Sequence, residues 1–244
     1  DVELSSTLTP SDICSASTFT YTATSAAATP SFSWSRATVA GITEAGTTGT
    51  GNVSETLTNS TTASIDVTYN YVTTGFGCTN GGENVVVTVH PSPSLSSSTT
   101  PADICDGATF TYTPTSATAG ATYSWSRATV AGITEAGTTG TGGVSEVLSN
   151  STTGSIDVTY VYTTSANSCT GATENVIVTV NPTPSLSSTT SPADICDGAT
   201  FNYTATSATG GATFAWSRAT VAGITEAGTT GTGNVSETPV SYTH

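Results

Sequence analysis

The phrase WSRATVAGITEAGTTGTG occupies residues 34–51 and recurs letter for letter at 125–142 and 216–233. Its copies begin at Trp34, Trp125 and Trp216, each 91 residues from the next. Cys14, Cys105 and Cys196 keep the same offset, as do Leu4, Leu95 and Leu186, and so do Cys78 and Cys169. Self-similarity at a fixed period constrains a fold more than composition or length does. The chain therefore reads as a tandem array: residues 1–91 and 92–182 form two full units, and 183–244 begin a third that stops about two-thirds of the way through. The chain's three basic residues, Arg36, Arg127 and Arg218, are one position seen three times.

Each unit is rich in Thr, Ser, Val and Gly, with aromatics at alternate places. In TFTYTATS, Phe19, Tyr21 and Ala23 share one face; in SFSWS, Phe32 and Trp34 do; in SIDVTYNYV, Ile65, Val67, Tyr69 and Tyr71 do; in NVVVTV, Val85, Val87 and Val89 do. This period of two belongs to antiparallel sheets with one wet face, and no stretch carries a helical period. Short strands divided by Gly, Pro, Asn and Ser turns predict an all-β chain of tandem antiparallel sandwiches. The segments HPSPSLSSS (90–98) and NPTPSLSST (181–189) read as short, stiff joints, because proline cannot donate to a ladder and favours extended backbone.

Seventeen acidic residues against three arginines give a formal charge of −14, although only 8% of residues are charged. Without clustered Lys and Arg the chain has no electrostatic footprint for nucleic acid and no polybasic patch for anionic lipid. The acidic excess implies solubility and mutual repulsion, and leaves calcium open as a cofactor. No apolar run is long enough to span a bilayer. The chain lacks Met, so residue 1 is expected to follow a processed leader or to lie inside a longer protein.

Each full unit carries two cysteines. The simplest pairing is within a unit, Cys14 with Cys78 and Cys105 with Cys169; the other reading is reduced, buried thiols. The counterpart that would pair with Cys196 falls at about position 260, past the last residue, so Cys196 is expected to be unpaired by truncation. Disulfides place a protein outside the cytosol. The Cys–Trp–Cys order differs from that of antibody domains, where a Tyr stands two residues before the second Cys. Here Phe76 and Asn167 occupy that place, so the bridge is expected to tie strand ends.

The run ATYSWSRATVAGITEAGTTGTGGVSEVLSNSTTGSIDVTYVYTTSANSCTGATENVIVTVNP (121–182) resembles the PKD-like, immunoglobulin-like repeats of very large secreted surface proteins of Bacteroidetes, gliding-motility adhesins among them. The matching features are Trp125 on the third strand, the Gly/Thr-rich insert, VLSN at 147–150, CTG at 169–171 and the closing VTVNP at 178–182. The resemblance implies a seven-stranded sandwich, secretion, and a role as stalk, adhesin or filament, with no catalytic residues. The near-identity of the copies departs from that family and implies recent duplication.

Little in the chain points to catalysis. His90 sits at a joint where the next unit has Asn181, and His244 is terminal, so neither recurs as a module's base and no Ser-His-Asp set can be assembled in every unit. GTTGTG (46–51) has the glycine density of a phosphate cradle but lacks its Lys and helix, and reads as a connection between strands. Arg36, Arg127 and Arg218 carry two open readings. One is a structural pair within the module, with a carboxylate such as Glu44 or Glu55 or with an aromatic face. The other is an ion pair between subunits of a fibre. Asp103, Asp106, Asp194 and Asp197 are weak calcium candidates, because D-I-C-D-G is not an EF-hand loop. The sequons at Asn52, Asn59, Asn150, Asn202 and Asn234 are expected by chance in so Ser/Thr-rich a chain.

The function these readings favour is an extracellular structural or adhesive rod of a bacterial cell-surface protein, with copies of itself, other surface proteins or glycans as partners. A second reading is a self-assembling filament subunit whose unfinished third unit receives a strand from another chain. A third is a carbohydrate-binding accessory module, with Tyr71 or Tyr162 as the first candidates for an aromatic platform.

Overall fold

A computed structural model of the chain describes residues 2–241, and all the regular elements among them are strands. In the first sandwich these are β1 (Ile13–Cys14), β2 (Ser17–Tyr21), β3 (Ser31–Arg36), β4 (Thr47–Thr50), β5 (Val53–Leu57), β6 (Ile65–Gly75), β7 (Cys78–Thr79) and β8 (Glu83–His90). One sheet runs β1-β8-β6-β3-β4, with β7 added against β6; β2 and β5 form the sheet opposite. The second sandwich repeats this with seven strands: β9 (Ile104–Cys105), β10 (Ala108–Tyr112), β11 (Thr122–Arg127), β12 (Thr138–Thr141), β13 (Val144–Leu148), β14 (Ile156–Ala166) and β15 (Cys169–Asn181). β15 is continuous where the first sandwich breaks at Asn80–Gly82, between β7 and β8.

The alternation read from the sequence is the alternation that packs. Phe19, Tyr21, Val67, Tyr69, Tyr71, Val85, Val87 and Val89 are all buried in one cluster; Phe110, Tyr112, Val158, Tyr160, Tyr162, Val176, Val178 and Val180 repeat it. The rings interlock, with Phe19 5.3 Å from Tyr69 and Tyr21 5.3 Å from Tyr71. Offset and tilted pairs of this kind add to the stabilisation from burial alone. Tyr71 and Tyr162 are completely buried, which corrects the expectation that they offer a platform to sugars.

GTTGTG is not a loop for its whole length. Its middle is strand β4, paired with β3 so that Trp34 stands opposite Gly49. The indole lies across that strand, and a Cβ on Gly49 would run into the ring. Trp125 and Trp216 lie in the same way over Gly140 and Gly231. Trp34 is half-buried rather than central, with its edge packed on Tyr69. The sequons Asn59 and Asn150 are closed to glycans. Asn59 is buried and donates to the Ala63 and Val89 carbonyls, clamping the turn after β5 to the end of β8; Asn150 does the same to Gly154 and Val180.

The third unit has β16 (Phe201–Tyr203) paired with β19 (Val235–Glu237), and β17 (Ala215–Arg218) paired with β18 (Thr229–Thr232). Among the described residues it has no strand matching β6 or β8, and Phe201, Tyr203 and Trp216 are only half-buried.

The Trp–Gly contact yields a paired test. Gly140→Ala should cost about 1–3 kcal/mol in denaturant unfolding, as an overpacked core does. Gly154→Ala should stay within about 0.5 kcal/mol, as a surface change does, because the added Cβ meets nothing and the first repeat already has Ala63 there.

Candidate functional site

Two polar constructions stand out in the sandwiches: a buried arginine in each, and a cystine where they meet. Arg36 ends β3 facing inward and is only 3% exposed. Its Nε donates to Glu55 Oε2 at 3.0 Å, and Nη2 donates to the Ala45 carbonyl at 2.7 Å. Nη1 contacts the Ala37 and Glu44 carbonyls, each at 3.4 Å. Tyr69 donates its hydroxyl to the same Glu55 oxygen at 2.5 Å. Arg127 repeats the set with Glu146, Ala136, Glu135 and Tyr160, and its guanidinium carbon lies 6.0 Å from the Tyr160 ring centre. Arg218 pairs with Glu237 at 2.8 Å, but its side chain is more exposed, since no strand covers it. The pairing is thus within each unit. The alternative, an ion pair between subunits, is corrected for Arg36 and Arg127: their guanidinium groups are enclosed by their own module. A buried charge of this kind must be fully hydrogen-bonded to be tolerated.

The tyrosines around these pairs hold their protons tightly. Burial, and then the Glu55 carboxylate, push the Tyr69 phenol far above its ordinary range; burial and Glu146 do so for Tyr160. Burial pushes Tyr71 up to about 12 and raises Tyr162 likewise. The folded values are raised, so this contribution is complete below the unfolded value near 10. Above that, unfolded phenols ionise while the folded ones do not, and stability should fall by about 1.4 kcal/mol per pH unit for each of the four tyrosines until the folded values are reached. Phenolate absorbance should therefore appear for these four only as the fold is lost; ionisation with native near-ultraviolet dichroism intact would contradict this.

The cysteines do not pair as the sequence suggested. Cys14 bonds Cys169, across the two sandwiches, with 5.6 Å between Cα atoms and 155 residues between them in sequence. Cys78, Cys105 and Cys196 are free and exposed. Strand direction explains the correction. β1 runs parallel to β8, with Cys14 opposite His90 at the far end of that strand. Cys78 lies at the hairpin before β8 begins, so the strand's length, roughly 25 Å, separates the two. A disulfide needs Cα atoms within about 7 Å. Cys105 and Cys169 are held apart by the same geometry on β15, where Cys105 stands opposite Asn181. The hairpin of the second sandwich, however, points back at the end of the first.

The joint is built from both sides. Asp12, Ile13, Cys14 and His90 line one cleft with Asn167, Ser168 and Cys169. Asn167 and Ser168 both have positive φ, 50° and 62°, the two left-handed residues of a type I′ hairpin. His90 ends β8; its Nε2 lies 3.1 Å from Asp12 Oδ2 and its Nδ1 2.7 Å from Ser64 Oγ. The proline joint lies on the second sandwich's own hairpin: a Cβ on Gly171 would strike the Pro93 carbonyl. Leu95 N–H then donates to Glu174 at 2.7 Å. Linker and cystine are two covalent ties at one joint.

The calcium candidates are occupied otherwise or stand apart. Asp106 accepts from Asn150 N–H at 2.8 Å and from Thr183 at 3.1 Å; Asp103 accepts from Asn181; Asp197 accepts from Ser241 N–H. Asp194 joins no set, and no group of three or more His, Cys, Asp or Glu side chains suited to a metal occurs among the described residues. His244 lies outside the described residues.

Residues 102–184 match the family model described as PKD-like domain. No curated protein matches. Solved structures that resemble the chain are tandem immunoglobulin domains. The three-domain titin fragment I67–I69, in an E-to-A variant, is 13% identical over 98% of this chain and 87% of its own, with a TM-score of 0.43. DIP-gamma IG1+IG2 is 13% identical over 74% of this chain and 96% of its own, with a TM-score of 0.35. Extracellular domains 3–5 of Drosophila OTK are 9% identical over 85% of this chain and 76% of their own, with a TM-score of 0.24. The fold is a series of antiparallel, immunoglobulin-like sandwiches of the PKD-like kind, a domain type that typically serves structure rather than catalysis. No helix is long and apolar enough to cross a membrane among the described residues.

Proposed function

We propose that the chain is an extracellular structural or adhesive rod segment of a bacterial cell-surface protein, built from two full copies of one unit at 1–91 and 92–182 and an incomplete third at 183–244. The observation that carries this is the joint. Tandem domains joined by a short linker ordinarily move relative to one another. Here the Cys14–Cys169 bond adds a second covalent tie beside the linker, which restricts the motion of the two sandwiches relative to one another. Stiffness between repeats serves a stalk that must hold a distal end away from a surface, and has no evident use in a soluble enzyme. A disulfide also suits an oxidising compartment.

The reading is tested by negative-stain electron microscopy of the oxidised and the reduced chain. The angle between the first two beads should be narrowly distributed when oxidised and broaden after reduction. A distribution equally broad in both states would contradict the rod. Antibodies to the chain should also label intact, unpermeabilised cells of the organism that encodes it; labelling only after permeabilisation would contradict the surface location.

A further inference from the structure

Side chains of metal-ligating type converge on the cleft at the joint: Asp12, Cys14 and His90 from the first sandwich and Cys169 from the second. Strand geometry brings them together. β1 lies parallel to β8, with Ile13 opposite Val89 and Cys14 opposite His90. Ile13 and Val89 turn into the core, so Cys14 and His90 turn to the other side of the sheet. Asp12 shares that side by its spacing of two from Cys14. The second sandwich repeats the row as Asp103, Cys105 and Asn181, without an imidazole.

The spacing suits a single ion. His90 Nε2 lies 3.1 Å from Asp12 Oδ2, and Nδ1 lies 2.7 Å from Ser64 Oγ. Nitrogen and oxygen ligands of a tetrahedral zinc ion stand about 3.4 Å apart at the usual metal distances. Zinc therefore enters between His90 Nε2 and Asp12 with little movement of either. The imidazole proton passes to Nδ1, where Ser64 Oγ accepts it, the outer hydrogen bond that zinc-bound imidazoles ordinarily keep. Two zinc-bound thiolates stand about 3.8 Å apart. Cys14 and Cys169, with Cα atoms 5.6 Å apart, reach that separation by side-chain rotation. While the bond is closed the sulfurs are not thiolates, and among the described residues no group of three or more suited to a metal is present.

We propose that the dithiol form of the joint is a zinc site, with Cys14, Cys169, His90 and Asp12 as its ligands, and that disulfide formation and zinc binding are alternatives at the same two sulfurs. Two sulfurs, an imidazole and a carboxylate form a set that zinc takes in preference to calcium or magnesium. A phosphine reductant produces the dithiol: the disulfide takes up two electrons and two protons, and the phosphine becomes its oxide. One water supplies both protons and the oxygen. Zinc then displaces the two thiol protons, so binding releases two protons and a coordinate tie replaces the covalent one across the joint. The proposal concerns the joint alone and does not rest on the rod reading, so the two can fail separately.

The test uses the full chain, reduced with a phosphine, freed of reductant without air, and titrated with cobalt(II) as the spectroscopic substitute for zinc. The expected result is a thiolate-to-cobalt charge-transfer band that saturates at a single ion per chain and disappears when zinc is added. The oxidised chain, in which Cys78, Cys105 and Cys196 are still free, should give no such band. His90→Asn, the residue that the second sandwich has at 181, should weaken cobalt binding about tenfold or more. Recovery of the Cys14–Cys169 bond when the same variant is reoxidised shows that its joint still assembles. Cys78→Ser, Cys105→Ser and Cys196→Ser together should leave the affinity unchanged. The proposal is overturned by a reduced chain that gives no band, by an equal band in the oxidised chain, by undiminished binding in His90→Asn, or by loss of the band with the three free cysteines.

Discussion

The covalent tie between Cys14 and Cys169 is the constraint on which the arrangement of the molecule depends. Each sandwich is held by its own core, but nothing in an isolated core fixes its neighbour. The tie works because a strand end and a hairpin tip lie at opposite ends of every unit. In a chain of such units laid end to end, the tip of one meets the strand end of the one before. The bond closes a loop of 155 residues, which in the chain-entropy description is worth about 5 kcal/mol against the unfolded state. Its other effect is geometric: it holds Cys14 beside Cys169, next to the linker that packs on the same hairpin at Pro93 and Gly171.

Much of the fold was legible in the sequence. The period of two in SIDVTYNYV placed Val67, Tyr69 and Tyr71 on one face, and that face is the core. The same alternation argued against Tyr71 as an exposed sugar platform, because it shares its face with Val67. The pairing of the cysteines was not legible. Two closely similar units offer Cys78 and Cys169 as equal partners for Cys14, and only the direction of β1 against β8 separates them. That direction is a parallel pairing, which no local turn signal announces. The partner of the arginine was half legible. Glu44 and Glu55 were both in reach, and the structure uses the side chain of one and the carbonyl of the other.

The buried Arg–Glu–Tyr set explains why so acidic a chain keeps one cation per unit. Glu55 is drawn inward by Arg36 and Tyr69, and the guanidinium draws in the backbone carbonyls of residues 44 and 45. The set thus joins β3, β5 and β6 to the segment before β4, spanning both sheets. In the third unit, where no strand like β6 is present among the described residues, Arg218 still finds Glu237 but remains open to water.

Stretching single molecules from their ends under constant force tests the joint most directly. With the cystine intact, load crosses from residue 14 to residue 169 and bypasses most of both sandwiches. The account predicts that this length stays hidden until a reductant is added, and then appears as one release of roughly 530 Å from the 155 enclosed residues. Two separate releases of roughly 220 Å each, the signature of Cys14–Cys78 and Cys105–Cys169, would contradict it.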